Sequence, residues 1–259
     1  MKESYGIICA RYNKITSQIE IVLVKKKYTY AFYDFVMGKY TKNVKILYNT
    51  LEKLFNCMTT DEKMLILTFD FVKLWERIWN INYDKITNNI IQLLLNNVNY
   101  QVYPELQNYI IKRRYFDALN KNMVRNLINS SESIENMWEI SKGRHDKNDE
   151  NTIQTAIREV QEETGISYDQ YTLLLNEQPL VETFDVDKTT YQNFYYIAIM
   201  NNYNTKFLFS NMQLQEITNI DWFSINDLSK TYNIRLPYIF KRARKILKKY
   251  KINKIIYDY

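Results

Sequence analysis

Four carboxylates fall in the stretch Glu150–Ile166, ENTIQTAIREVQEETGI, and three of them, Glu159, Glu162 and Glu163, crowd together near its end. If residues 150–164 form a helix, successive residues turn by about 100°, and Glu159, Glu162 and Glu163 share an arc of roughly 100° on one face. Like charges packed this closely repel one another, so a sequence that specifies them calls for a cation. Hard oxygen ligands select Mg²⁺ or Mn²⁺. Arg158 can brace the carboxylates, while Ala156, Ile157 and Val160 can pack on the opposite side. Gly165 stands where a helix ends in a left-handed residue. The rival reading is a solvated acidic face of an ordinary helix.

The elements around this helix follow from apolar periodicity. Residues 5–11 and 19–26 predict two strands joined by a polar turn at 12–18, and residues 29–37 a third extended piece. From about Lys39 the period changes, and residues 43–57, 59–80, 83–98 and 104–129 read as helices. Leu65, Phe69, Val72, Trp75 and Trp79 recur at three- and four-residue spacing, with Thr59, Thr60 and Asp61 supplying an N-cap region. Strand signals return at 171–175, 179–185, 191–200 and 217–223, and a last helix is expected over 236–250. Strands, a helical insert, then strands with helices describe an α/β domain split in sequence by an all-helical insert. The expected boundaries are 1–37 and 131–259 for the split domain and 38–130 for the insert.

Charge is distributed unevenly along the 259 residues. Residues 131–228 carry a net −11 and residues 229–257 a net +10 with no acid among them. An acidic cluster repels a polyanion until cations neutralise it, whereas basic flanks attract the same polyanion. The pairing points to a metal-dependent enzyme acting on a nucleic acid or a polyphosphate. No run of 18 apolar residues is present, so no transmembrane helix is expected. The first residues read as a strand rather than a signal peptide. Cys9 and Cys57 make no disulfide framework and have no metal-ligand spacing, so a reducing, cytoplasmic setting is the expectation.

The acidic segment resembles the Nudix box, in which a Gly and a Glu precede Arg-Glu-aliphatic-x-Glu-Glu-x-Gly-aliphatic. Glu150, Arg158, Glu159, Val160, Glu162, Glu163, Gly165 and Ile166 match in register. Gly143 lies one residue too far upstream, with Arg144 in the strict glycine position, which a one-residue loop expansion explains. The resemblance implies a Nudix α/β/α sandwich. It also implies that Glu159, Glu162 and Glu163 bind the dication, with Glu162 and Glu163 at the centre of catalysis. Glu150 would support the site by pairing with Arg158, and Lys142 and Arg144 would hold substrate phosphates. His145, the single histidine, falls in the expanded loop and is expected to have no catalytic part.

Two further stretches narrow the resemblance. Trp138-Glu-Ile-Ser-Lys-Gly-Arg144 and Gln215-Glu-Ile-Thr-Asn-Ile-Asp-Trp-Phe223 are similar to segments of eukaryotic mRNA-decapping enzymes, where the second supplies a distal metal ligand or general base. That role would fall to Glu216. The opening strands, the stretch from Asp70 to Trp79, the box and the basic C-terminal region resemble the decapping enzymes of large DNA viruses, of the African swine fever virus type. This implies release of m7GDP from capped mRNA in the host cytoplasm. It also leaves open hydrolysis of diphosphoinositol polyphosphates or dinucleoside polyphosphates. A non-catalytic cap-binding module is the alternative of another class.

A cap is a small ligand, and the RNA body needs its own contacts. Lys241, Arg242, Arg244, Lys245, Lys248 and Lys249 on the last helix could neutralise phosphates, with Ile239, Phe240, Ala243, Ile246, Leu247 and Tyr250 anchoring it. Lys112, Arg113 and Arg114 form a second basic cluster in the insert. Tyr115 and Phe116 beside it could stack on bases or pack into the helical core.

Overall fold

The computed structural model describes residues 1–40, 43–79, 104–135, 138–149, 151–186, 189–202, 205, 207, 213–226 and 236–252. The chain forms two compact units, residues 1–27 with 137–259, and residues 28–136.

Among the described residues the first unit is built on a mixed eight-stranded sheet. Strands β1 (Lys2–Asn13) and β2 (Gln18–Lys26) form its opening antiparallel pair. The sheet continues with β3 (Trp138–Glu139) and β4 (Lys142–Gly143), then β5 (Tyr171–Leu173) and β6 (Leu180–Val186). It is completed by β7 (Thr189–Met200) and β8 (Ile217–Ser224). β7 runs parallel to β1, a pairing that joins the first strand of the chain to the strands that follow the acidic helix.

β1 is buried on both faces, as a central strand with helices on either side should be. Ile7 and Cys9 face Ala156 and Val160 of the helix Thr152–Thr164. Ile8 and Ala10 face Ile239, Phe240, Ala243 and Leu247 of the helix Leu236–Lys249. The unit is therefore a sheet between two helical layers, the expected α/β/α sandwich.

The second unit is helical: α1 (Tyr30–Val36), α2 (Val44–Phe55), α3 (Thr60–Thr68), α4 (Phe71–Trp79), α5 (Pro104–Asp117) and α6 (Lys121–Ser130) among the described residues. Residues 29–37, expected as an extended piece of the sheet domain, are instead helical and belong to this unit. Thr29 caps α1 by accepting from the Phe32 amide, and Ala31, Phe32, Phe35 and Val36 are buried at helical rather than alternating spacing.

The segment 59–80, expected as one helix, is two. Phe69 adopts extended backbone and ends α3, and the Asp70 carboxylate accepts from the Lys73 amide to start the next turn. The buried face is accordingly Ile66, Phe71, Leu74, Trp75 and Ile78, and Trp79 is exposed. The segment 104–129 likewise breaks, with Asn120 capping α6. The expected helix at 83–98 lies outside the described residues.

Glu62 fixes this unit's start. Its carboxylate takes the Thr59 amide of its own capping box at 2.9 Å and the Thr29 hydroxyl at 2.8 Å, tying the N-termini of α3 and α1 together.

Candidate active site

The acidic helix is α7 (Thr152–Thr164), followed in the chain by α8 (Gln213–Glu216) and α9 (Leu236–Lys249). Asn151 caps α7 through the Gln154 amide. Gly165 ends it at φ 73°, the left-handed conformation that glycine adopts without strain. Burial of Ala156 and Val160 against the sheet fixes the rotation of the helix and turns its carboxylates toward β4 and the end of β2.

Glu163 is the most enclosed of the three, with 4% of its surface exposed. Its Oε1 accepts from the Lys26 ammonium, while its Oε2 is buried without a hydrogen-bond partner. Glu159 is half-buried and Glu162 exposed. Burial, and next the charge of Glu163, push the Glu159 carboxyl up to about 7 against the pull of Arg158.

Gly143 lies directly against Glu159. A Cβ built on it would sit 2.1 Å from the Glu159 carboxylate carbon. Gly143 thus stands against the carboxylate helix in the place of the box glycine. The acid at the box spacing from it is Asp149, so the extra residue falls between Asp149 and Arg158.

Arg158 organises the cluster. It donates to Glu159 Oε1 at 2.8 Å, to Glu162 Oε2 at 2.9 Å and to the Arg144 carbonyl at 2.9 Å. Its remaining donors form a two-pronged pair with Asp149, at 3.0 and 2.9 Å. The acid expected opposite Arg158 was Glu150. Asp149 holds that place, and Glu150 lies outside the described residues. Register counted back from Arg158 points to Glu150, whereas register counted forward from Gly143 points to Asp149. His145 clamps the same loop, with Nδ1 2.9 Å from the Thr155 hydroxyl.

Hydrogen bonding from Arg158 holds the Asp149 carboxyl well below the usual carboxylate range. A depressed pKa contributes stability that is complete above the usual value of about 4 and is lost as pH falls through the folded value. Asp149→Asn should therefore melt below the wild type at neutral pH, with the gap narrowing as the pH is taken below about 4. Thermal melts across that range check this.

Two groups unmarked in the sequence complete the site. Lys26, at the end of β2, lies 3.8 Å from Glu139 Oε1 and 4.0 Å from Glu216 Oε2, besides its bond to Glu163. Glu139 also accepts from Lys142 at 2.6 Å, so Lys142, expected as a phosphate ligand, here bridges to a carboxylate. The signal for Lys26 was strand alternation, since it continues the face of Val22 and Val24 that packs on α7. Glu216 is 69% exposed in its side chain at the rim of this cluster. Arg144 is exposed in the loop after β4. Among the described residues no three acidic, His or Cys side chains close around one point, and the ammonium of Lys26 and guanidinium of Arg158 lie between them.

The basic clusters sit on helix surfaces. Lys241, Arg242, Arg244, Lys245, Lys248 and Lys249 are all exposed on α9, and Lys249 pairs with Glu177 at 2.6 Å. Arg244 and Lys248 also line a cavity of about 390 Å³ with Ser17, Gln18 and Asn226. On α5, Arg113 and Arg114 are exposed, and Arg113 reaches Asp117 at 3.5 Å. Lys112 lies over the Tyr115 ring. Phe116 packs against Phe35 and Phe71, which assigns it to the helical core rather than to base stacking.

A family profile described as the NUDIX domain matches residues 123–249. The mRNA-decapping protein g5R of African swine fever virus, isolate Warthog/Namibia/Wart80/1980, is 30% identical over 96% of this chain and 97% of the relative. A protein of Acanthamoeba polyphaga mimivirus is 24% identical over 92% of this chain and 68% of its own length. A solved C. elegans Ap4A hydrolase binary complex is similar over 96% of this chain and 98% of its own, at 13% identity and a TM-score of 0.46. With the box helix, its glycines and its bracing arginine in place, and with the g5R relative matched over nearly its whole length at 30% identity, the chain belongs to the Nudix family and to the group of viral g5R proteins within it.

Proposed function

We propose that this chain is an mRNA-decapping hydrolase of the host cytoplasm. It cleaves the triphosphate bridge of the cap to release m7GDP and 5′-monophosphate RNA, with Mg²⁺ or Mn²⁺ held by Glu159, Glu162 and Glu163. The metal reading is carried by Glu163, a carboxylate enclosed in the fold with one oxygen that has no hydrogen-bond partner. An orphaned buried oxygen is costly, and the Glu159 carboxyl beside it is driven up by burial and next by the charge of Glu163. A dication relieves both. The substrate reading is supported by the full-length similarity to proteins named for mRNA decapping.

Nudix hydrolases use divalent cations, and one held by Glu159, Glu162 and Glu163 would neutralise phosphate charge and lower the pKa of the attacking water. The chain's own residues do the rest. Arg158 is a positioning residue: pinned by Asp149 and the Arg144 carbonyl, it aims Glu159 and Glu162 at the same region. Lys26 balances the charge of Glu163, Glu139 and Glu216. Lys142 and Arg144 are the cations nearest β4 that can take the phosphates. Glu216, at the exposed rim, would accept the proton of the attacking water.

Product analysis on cap-labelled RNA tests the reading. Release of m7GDP with Mg²⁺ or Mn²⁺, abolished by chelator, is the expected result. Cleavage of a diphosphoinositol polyphosphate with capped RNA left intact at equal enzyme would overturn it.

The RNA body is held through phosphates by α9, with Lys112, Arg113 and Arg114 of α5 as a second cationic surface. Replacing Lys241, Arg242, Lys245 and Lys248 together with Gln should raise KM for capped RNA by about tenfold at low salt. The same change should flatten the salt dependence of binding, by roughly 0.7 in the log–log slope for each phosphate that is no longer neutralised. Filter binding over a salt series measures both.

A further inference from the structure

The sheet face beside Lys142 carries an ordered grid of side chains. Residues paired across neighbouring strands share a face, so three rows can be read from the register. The first is Lys142–Gly6–Tyr195–Leu180, from β4 across β1 and β7 to β6. The second is Ser4–Asn193–Glu182, and the third Lys2–Tyr191–Phe184. Gly6 contributes no side chain, and the Ser141 carbonyl oxygen lies where its Cβ would stand. Tyr195 and Leu180 are buried, so the exposed part of the grid is its second and third rows.

Glu182 lies in this grid as a half-buried carboxylate. It accepts from the Asn193 amide at 2.8 Å and from the Tyr195 hydroxyl at 3.1 Å. Those two neutral donors fix its orientation, and among the described residues no cation pairs with it. In the next row Phe184 and Tyr191 stack in parallel, with ring centroids 5.4 Å apart and planes 8° apart. The Lys2 ammonium stands 5.7 Å from the Tyr191 centroid, so this aromatic surface already faces a positive charge.

A fixed carboxylate without a counter-ion beside a flat aromatic surface suits one kind of group: a planar cation with N–H donors on its edge. Strands are about 4.8 Å apart, so Glu182 lies about three strand spacings from Lys142. That separation is the reach of a nucleoside whose phosphates lie at Lys142.

We propose that Glu182, Tyr191 and Phe184 read the base of the substrate. A guanine made cationic by N7 methylation stacks on the Tyr191–Phe184 surface and donates its N1–H and N2–H to the Glu182 carboxylate. This rests on the decapping reading and adds to it the residues that recognise the cap. Unmethylated guanine would make the same hydrogen bonds without the charge attraction, so Glu182 confers selectivity for the methylated form.

Binding of m7GDP and of GDP, measured by fluorescence quenching on the full chain, tests this without relying on turnover. The wild type should prefer m7GDP by about tenfold, and Glu182→Gln should bring the ratio close to one. Tyr191→Leu should weaken both ligands and leave circular dichroism unchanged. In cap hydrolysis, Glu182→Gln should raise KM for methylated caps far more than it lowers kcat. Equal preference in wild type and Glu182→Gln, with both proteins folded, would overturn the assignment. Failure of the wild type to cleave any capped RNA is a separate result, which sinks the decapping reading itself.

Discussion

Glu163→Gln should lower decapping by about a thousandfold or more while the protein folds and binds RNA as before. The two side chains have nearly the same shape, so the packing of α7 on β1 and β2 is retained. What changes is the charge at an oxygen pair that the fold encloses, with 4% of the residue exposed. One oxygen is engaged by Lys26 and the other has no hydrogen-bond partner. In an enclosed site a full negative charge is a strong ligand for a dication, and an amide is a weak one. Loss of preorganised charge at the reacting centre costs on the order of 10²–10³ in rate, and loss of a metal ligand costs more.

The measurements are single-turnover decapping, Mn²⁺ titration by calorimetry, and RNA binding by filter retention. Turnover and Mn²⁺ affinity should fall together, and RNA affinity should stay within about twofold, because the cationic residues of α9 are untouched. Wild-type turnover in Glu163→Gln would refute the metal role. Loss of RNA binding along with turnover would indicate that the variant damages the fold.

The box helix was legible in the sequence because three kinds of signal coincide there. Carboxylates fall on one face, small apolar residues on the other, and a glycine lies beyond the end. The helical periodicity of Ala156 and Val160 fixes which face is buried, and the carboxylates follow. The partner of Arg158 was not legible, because it depends on where the loop takes up its extra residue. Asp149 and Glu150 are adjacent acids, and only the loop path between Gly143 and α7 decides that Asp149 meets the guanidinium.

Lys26 was obscured by its neighbours. It sits in a run of three lysines, and its importance comes from a bond to Glu163, far away in sequence, made through the pairing of β2 with the rest of the sheet. The segment 29–37 misled for a related reason. Its aromatic residues favour strands, but the Thr29 cap and burial against the helical unit override that preference.

Gly143→Ala should separate stability from catalysis. The backbone of Gly143 is ordinary, so an alanine is not strained by conformation. The new Cβ would instead fall 2.1 Å from the Glu159 carboxylate. That carboxylate is the far end of a flexible side chain, and it can swing away at small cost, about 1 kcal/mol or less in stability. The swing removes Glu159 from the place where Arg158 holds it, and a displacement of about 1 Å at a reacting centre can cost a hundredfold in rate.

The expected result is therefore a nearly unchanged melting temperature, a kcat lowered by about 10²-fold and weakened Mn²⁺ binding. Gly6→Ala supplies the contrast. There a Cβ would meet the Ser141 carbonyl oxygen at 2.2 Å, which is backbone and cannot swing aside. That variant should lose stability first, because β1 and β4 must part to admit it. If Gly143→Ala keeps wild-type kcat and Mn²⁺ affinity, Glu159 does not need its position, and the ligand assignment fails at that residue.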